Sequence, residues 1–249
     1  MSPYSRLSKP PIVEAVIEFR VRMPEKVDMA RFKAFREALR DGFPDADDLR
    51  SVHAELRIHG SGSKNIVADT LVGVRLDSAN RLTVVQATVS SLAVSRLKPY
   101  DSWEDLLAAF KAVWPVYCQI IGPDVVTRLG VRYINRMLLP SEFVDFDKVL
   151  TAGPRIPPQM PQMLAGFVNR MVVPLPEQRA VLNITQALEG PPEPAAEPAI
   201  AILLDIDAFA EQSHDVGDSG LWETLDRLRL AKNIAFFNSL TPEFLETMK

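Results

Sequence analysis

Hydrophobic and polar residues alternate from the start of the chain: Val13, Ala15, Ile17, Phe19 and Val21 on one side, Glu14, Glu18, Arg20 and Arg22 on the other. A two-residue period predicts a strand with one wet face, and Pro24 ends it. The period then changes. Phe32, Phe35 and Leu39 fall at helical spacing after Asp28, whose side chain suits a helix start, and Gly42 and Pro44 close the run. β-like runs follow at 51–60, 66–76, 82–90 and 91–97, with "DSAN" (77–80) as a hairpin turn, so this region reads as an antiparallel meander.

At 100–122 the pattern is helical again. Asp101 followed by Glu104 resembles a capping box, Trp103, Leu107, Phe110, Trp114 and Tyr117 form one stripe, and Pro115 is expected to kink the helix. Strand returns over 125–140, continues into "FVDFDKVL" (143–150) as strand or as short helix or loop, and gives way to a proline-rich connection at 152–163. A second strand set occupies 164–175, 179–188 and 199–209, with "EGPPEPAAEP" (189–198) as an acidic loop. A long helix is predicted from Asp218 or Ser219, its stripe running through Leu221, Trp222, Leu225, Leu228 and Ile234. Thr241 and Pro242 start a short terminal one.

The expected fold is therefore α+β, mostly antiparallel sheet with helices on one face. The order strand, helix, strands, helix occurs twice, which divides the chain into 1–122 and 123–249, packed as one unit. An ancient duplication and a chance likeness of any α+β protein both fit this order.

One octapeptide pattern recurs: "YINRMLLP" (133–140) returns as "FVNRMVVP" (167–174). Read as strands, the first sets Leu129, Val131, Tyr133, Asn135 and Met137 on one face and Arg128, Arg132, Ile134, Arg136 and Leu138 on the other. In the second, Arg170 takes the place of Arg136 and Asn169 that of Asn135. Guanidiniums and amides gathered on one sheet surface would hold a carboxylate or phosphate by paired hydrogen bonds, or a protein partner. The plainer alternative is a solvated face on which arginines pair with Asp and Glu across strands. Arg132, Asn135, Arg136, Asn169 and Arg170 are the candidate binding residues.

Composition narrows the classes. Of 249 residues 47% are hydrophobic and 24% charged, which suits a packed core, and the net charge of -4 disfavours a main role in binding nucleic acid. Cys118 is the single cysteine, so neither an intramolecular disulfide nor a cysteine-based zinc site can form. With no apolar run of signal-peptide or membrane-spanning length, the expectation is a cytoplasmic protein without a membrane partner.

Familiar chemistry is scarce. "HGSGS" (59–63) lacks the lysine of a phosphate-binding loop and reads as a turn. His53 and His59 share a strand face without a third ligand, and His214 reads as a loop residue. Asp205 and Asp207 project to one face of a strand, a weak metal seat or simply its wet side. Cys118 reads as an inert thiol on a core-like helix. No catalytic constellation and no cofactor are implied.

Four stretches together, 10–20, 95–106, 126–140 and 228–246, resemble a sporadically distributed, functionally uncharacterised bacterial family of about this length. "TRLGVRYINR" and "KNIAFF" are the most specific parts. That family carries a histidine a few residues before the Lys-Asn pair. This chain has "RLRLAKN" (227–233) there, so no role resting on that histidine carries over. Patchy distribution implies an accessory gene of toxin–antitoxin or phage-defence type. The leading expectation is a non-enzymatic component that binds another protein, as a monomer or a homodimer. The alternative is a sensor or enzyme for a small anionic ligand such as a nucleotide or phosphate ester.

Overall fold

The computed structural model describes residues 7–59, 62–140, 145–190 and 199–249, with side chains described for all of these except 52–59, 62–69 and 199. Its strands are β1 (Ile12–Arg22), β2 (Asp45–His59), β3 (Gly62–Asp77), β4 (Thr83–Thr88), β5 (Ser91–Leu97), β6 (Val125–Pro140), β7 (Val168–Leu175), β8 (Ala180–Glu189), β9 (Ala199–Ala210) and β10 (His214–Asp215). The helices are α1 (Ala30–Ala38), α2 (Trp103–Ile120), α3 (Gly220–Ser239) and α4 (Pro242–Glu246), with one 3₁₀ turn at Phe146–Lys148.

The ten described strands form one antiparallel sheet in the order β2-β3-β4-β5-β1-β6-β9-β8-β7, with β10 pairing beside the start of β6. The β2–β5 meander returns to β1, the β7–β9 meander returns to β6, and β1 and β6 pair with each other at the centre, Ile17 opposite Val131. Residues 1–122 and 123–249 thus share a single sheet rather than forming separate cores.

Alternation fixes which face is covered. Ala15, Ile17 and Phe19 of β1 line up with Tyr133, Val131 and Leu129 of β6 and onward with Ile206, Ala208 and Ala210 of β9, and all are buried. Helices α2 and α3 lie over this face, α2 against β1 and β5, α3 against β6, β8 and β9. Phe19 meets Phe110 edge-on with ring centroids 4.6 Å apart and Trp114 at 5.0 Å, tying the central strand to α2. Trp114 Nε1 donates to Val216 O at 3.2 Å and the Tyr117 hydroxyl to Thr88 O at 2.8 Å, so both buried aromatics satisfy their polar ends.

Several local expectations shift by a residue or more. Ser102, not Asp101, caps α2: its Oγ accepts from Asp105 N at 3.1 Å and donates to the Asp105 carboxylate, while the Asp101 side chain turns aside to Arg96. Helix continues through Pro115, and ends where Gly122 takes φ 80° and Arg31 donates to Ile121 O at 2.9 Å. The 143–150 stretch is a 3₁₀ turn where described, with 141–144 outside the described residues. Ile234 is exposed, because the covered face of α3 runs instead through Leu225, Leu228, Ala231, Lys232, Ala235 and Phe236. The cap at Thr241 forms as expected, accepting from Phe244 N at 3.2 Å, whereas the N-cap of α1 is Met29 and Asp28, one residue earlier, accepts from Ala30 N at 2.9 Å.

Candidate ligand-binding cavity

The first octapeptide lies wholly in β6 and the second, after Phe167, in β7, and their faces correspond. Arg132, Arg136 and Arg170 project to the uncovered face, as the register across β6, β9, β8 and β7 requires. Asn135 and Asn169 do not join them. They project to the helix-covered face, where Asn135 Nδ2 donates to Leu204 O at 2.9 Å and Asn169 Nδ2 to Gln186 Oε1 at 3.2 Å. The expected grouping of guanidiniums and amides on one surface is therefore corrected: alternation separates neighbours in sequence onto opposite faces.

The arginines are also spread out. β6 and β7 are three strand spacings apart, about 14 Å, with β9 and β8 between Arg136 and Arg170. Arg132 makes a two-pronged pair with Asp205 at 2.8 and 2.6 Å. Arg136 lies 3.0 Å from Glu189 in an ion contact without hydrogen-bond alignment, and donates to Gly190 O at 3.4 Å. Arg128, almost wholly buried, bridges Glu18 and Asp207 at 2.6 Å each and lies over the Phe209 ring. Gly130 makes room for this arrangement, since a Cβ there would meet Arg128 Nη1 at 2.6 Å. Asp205 and Asp207 thus serve arginines. Burial pushes the Asp207 carboxyl up from its ordinary range, with Arg128 and Arg132 opposing that rise. Among the described residues no group of three or more His, Cys, Asp or Glu is placed to hold a metal.

Other singled-out residues resolve simply. His214 lies in β10 with Nδ1 2.7 Å from Asp218 Oδ2. Burial raises the Cys118 thiol to about 12, in keeping with an inert group. The side chains of His53 and His59, Gly60 and Ser61 of the "HGSGS" turn, and 191–198 of the acidic loop lie outside the described residues.

A concave feature lies on the covered face. A cavity of about 800 Å³ opens between the 7–12 segment, the start of α2, the core side of β6 and the C-terminal half of α3. Lys9 N donates to Met248 O at 3.0 Å, fastening one wall to the C-terminal end of the chain. Trp103, Phe236 and Ile12 supply apolar lining; Tyr100, Tyr133, Asn135, Arg229 and Lys232 supply the polar groups.

Their arrangement is specific. The Tyr100 and Tyr133 hydroxyls share a hydrogen bond of 2.6 Å, with rings edge-on at 5.5 Å. Burial raises both phenols, Tyr100 to about 12, so both keep their protons at neutral pH; one proton joins the pair and the second is free to serve an acceptor in the cavity. Lys232 is only 8% exposed, with Nζ 3.6 Å from the Tyr133 ring centroid. Burial, helped by the nearby Arg229 charge, lowers its amine to about 7. Arg229 lies over Trp103 and sits 3.2 Å from Glu104, while Lys249 pairs with Glu246. Among the described residues, Lys232 has no carboxylate within ion-pair distance.

Sequence reading missed Lys232, Tyr100 and Arg229. The signal was present: Lys232 is four residues after Leu228 and four before Phe236, a lysine inside the apolar stripe of a helix, where a charge is uncommon unless it is paired or used. Four stretches distant in sequence contribute walls to this cavity: Pro10 to Ile12, Tyr100 to Glu104, Tyr133 with Asn135, and Arg229 to Phe237. Comparison of the chain with protein-family models, curated proteins and solved structures returns no match.

Proposed function

We propose that the protein binds a small organic ligand bearing an anionic group, seated in the cavity beneath α3. The carrying observation is Lys232, a cation nine-tenths buried in a cavity wall with no carboxylate beside it among the described residues. A buried charge is costly unless paired, and an incoming carboxylate or phosphate would supply the missing partner. Trp103 and Phe236 would cover the apolar body of such a ligand, and the Tyr100–Tyr133 pair would donate one hydrogen bond to it. The cavity is of the size that encloses a metabolite rather than a polymer.

Thermal-shift measurement against a panel of small carboxylates and phosphate monoesters tests it. A bound anion raises the melting temperature by mass action, and Lys232→Met should abolish the response. A panel without any stabilising anion, or one that stabilises the variant equally, would refute the assignment.

A protein partner is the second reading, favoured by the outer edge of β7. No described strand pairs with it, and Val168 and Val172 are 77% and 60% exposed beside it. An extended segment of a partner polypeptide, added as a further strand, would satisfy the free backbone groups and cover both valines. Val172→Lys would then weaken partner capture while leaving anion binding intact.

A further inference from the structure

We propose that Lys232 is a nucleophile that forms an imine with the carbonyl carbon of its ligand, which makes the ligand an anionic carbonyl compound of the 2-oxo acid type. This rests on the anion-binding reading above and assigns the ligand's chemistry.

Three geometric observations carry it. First, Nζ is held within the cavity wall against the face of Tyr133, with no carboxylate among the described residues to keep it protonated. Second, Arg229 lies one turn earlier on α3 and lines the same cavity, so a carboxylate adjacent to the reacting carbonyl can be held while the carbonyl faces Lys232. Third, the hydroxyl pair of Tyr100 and Tyr133 stands beside the amine with a spare proton for the carbonyl oxygen. Around this amine the charged and titratable groups among the described residues are Arg229 on its own helix, Asp101 and Glu104 at the start of α2, Tyr100, Tyr133 on β6, and Lys249. Asp101 is taken by Arg96 and Glu104 by Arg229, so neither acts as a counter-ion.

The chemistry balances without any further reactant. The Nζ lone pair attacks the carbonyl carbon and forms a C–N bond, and the oxygen takes a proton to give a carbinolamine. That oxygen then leaves as water, carrying both amine protons, and a C=N bond remains. The reaction needs the free amine. An amine titrating at about 7 rather than 10.5 is about a thousandfold richer in that form at neutral pH.

The test uses the full chain with glyoxylate or pyruvate as probe and sodium cyanoborohydride as trap, read by intact mass and peptide mapping. One equivalent of reduced adduct is expected, on Lys232, in at least ~10-fold excess over any other lysine, given the larger free-amine fraction there. The labelling rate should rise with pH through about 7 and then level off. Lys232→Arg should remove the adduct while retaining a folded far-ultraviolet signal. Because mapping is done on the unaltered protein, the result stands even if the variant misfolds. Label scattered over surface lysines, as in an unfolded control, would overturn the inference. If lactate and pyruvate stabilise the protein equally but no adduct appears on Lys232, the imine is refuted and anion binding survives. Absence of both stabilisation and adduct refutes both.

Discussion

On the uncovered face of the sheet, each guanidinium near the centre has a carboxylate: Arg128 has Glu18 and Asp207, Arg132 has Asp205, Arg136 has Glu189. On the helix-covered face, Lys232 lies over Tyr133 beside a cavity and has none among the described residues. Exposed ion pairs contribute little and explain themselves, because solvent screens them and their strands place opposite charges in register. A buried amine without a counter-ion does not, because among the described residues only the Tyr133 ring offsets its desolvation, and only in part. The difference teaches where to look for function: toward the charge the fold leaves unanswered.

The largest break in this contrast is expected at Arg128, the one arginine of the open face that is itself buried. Arg128→Met leaves Glu18 and Asp207 facing each other without their shared cation and should cost about 3–5 kcal/mol in chemical denaturation. A loss below about 1 kcal/mol would place Arg128 with its solvated neighbours.

Lys232→Met should act in the opposite direction. Lowering the amine from 10.5 to about 7 corresponds to at most about 5 kcal/mol of penalty when it is charged, and relaxation should leave a gain of about 2–3 kcal/mol at pH 6. Below pH 7 the amine is protonated in folded and unfolded chains alike, so the penalty is complete. Above 7 the folded amine is neutral while the unfolded one keeps its proton, so the stability of the unaltered protein rises with pH. That rise should flatten at about 8.5, where Cys118 ionises only in the unfolded chain, and reverse toward about 10, where the buried tyrosines do the same. Urea titrations between pH 6 and 8.5 should show the slope in the parent and its loss in Lys232→Met.

Tyr100→Phe removes the hydroxyl pair and leaves Tyr133 buried without it; about 1 kcal/mol of stability should go, with a larger loss of anion response. Arg132→Ala and Arg136→Ala should each cost less than about 1 kcal/mol and leave the anion response unchanged. An effect of either on ligand binding would erase the contrast between the faces.

Much of the architecture was legible in the sequence because alternation and turn residues are local. The period-two runs at 12–22, 125–140, 180–189 and 199–210 became strands with the buried face that their apolar members specified. The Thr241 cap formed where its side chain reaches the next turn. What failed were readings that depend on rotation about an axis or on distant neighbours. Ile234 and Lys232 are two residues apart on α3, and only packing against β6 decides which of them turns inward. Arg136 and Arg170 looked like partners by motif, and only strand order shows that two strands lie between theirs.

By itself, then, the sequence determined the elements, their polarity and the face each strand buries, since these follow from side-chain spacing along one backbone. The tertiary structure alone decided that the 7–12 segment, Tyr100, Tyr133, Arg229 and Lys232 enclose one cavity, because they come together only when β1 pairs with β6 and α3 closes over them. A charge's cost depends on what surrounds it in three dimensions, and no local pattern contains that information.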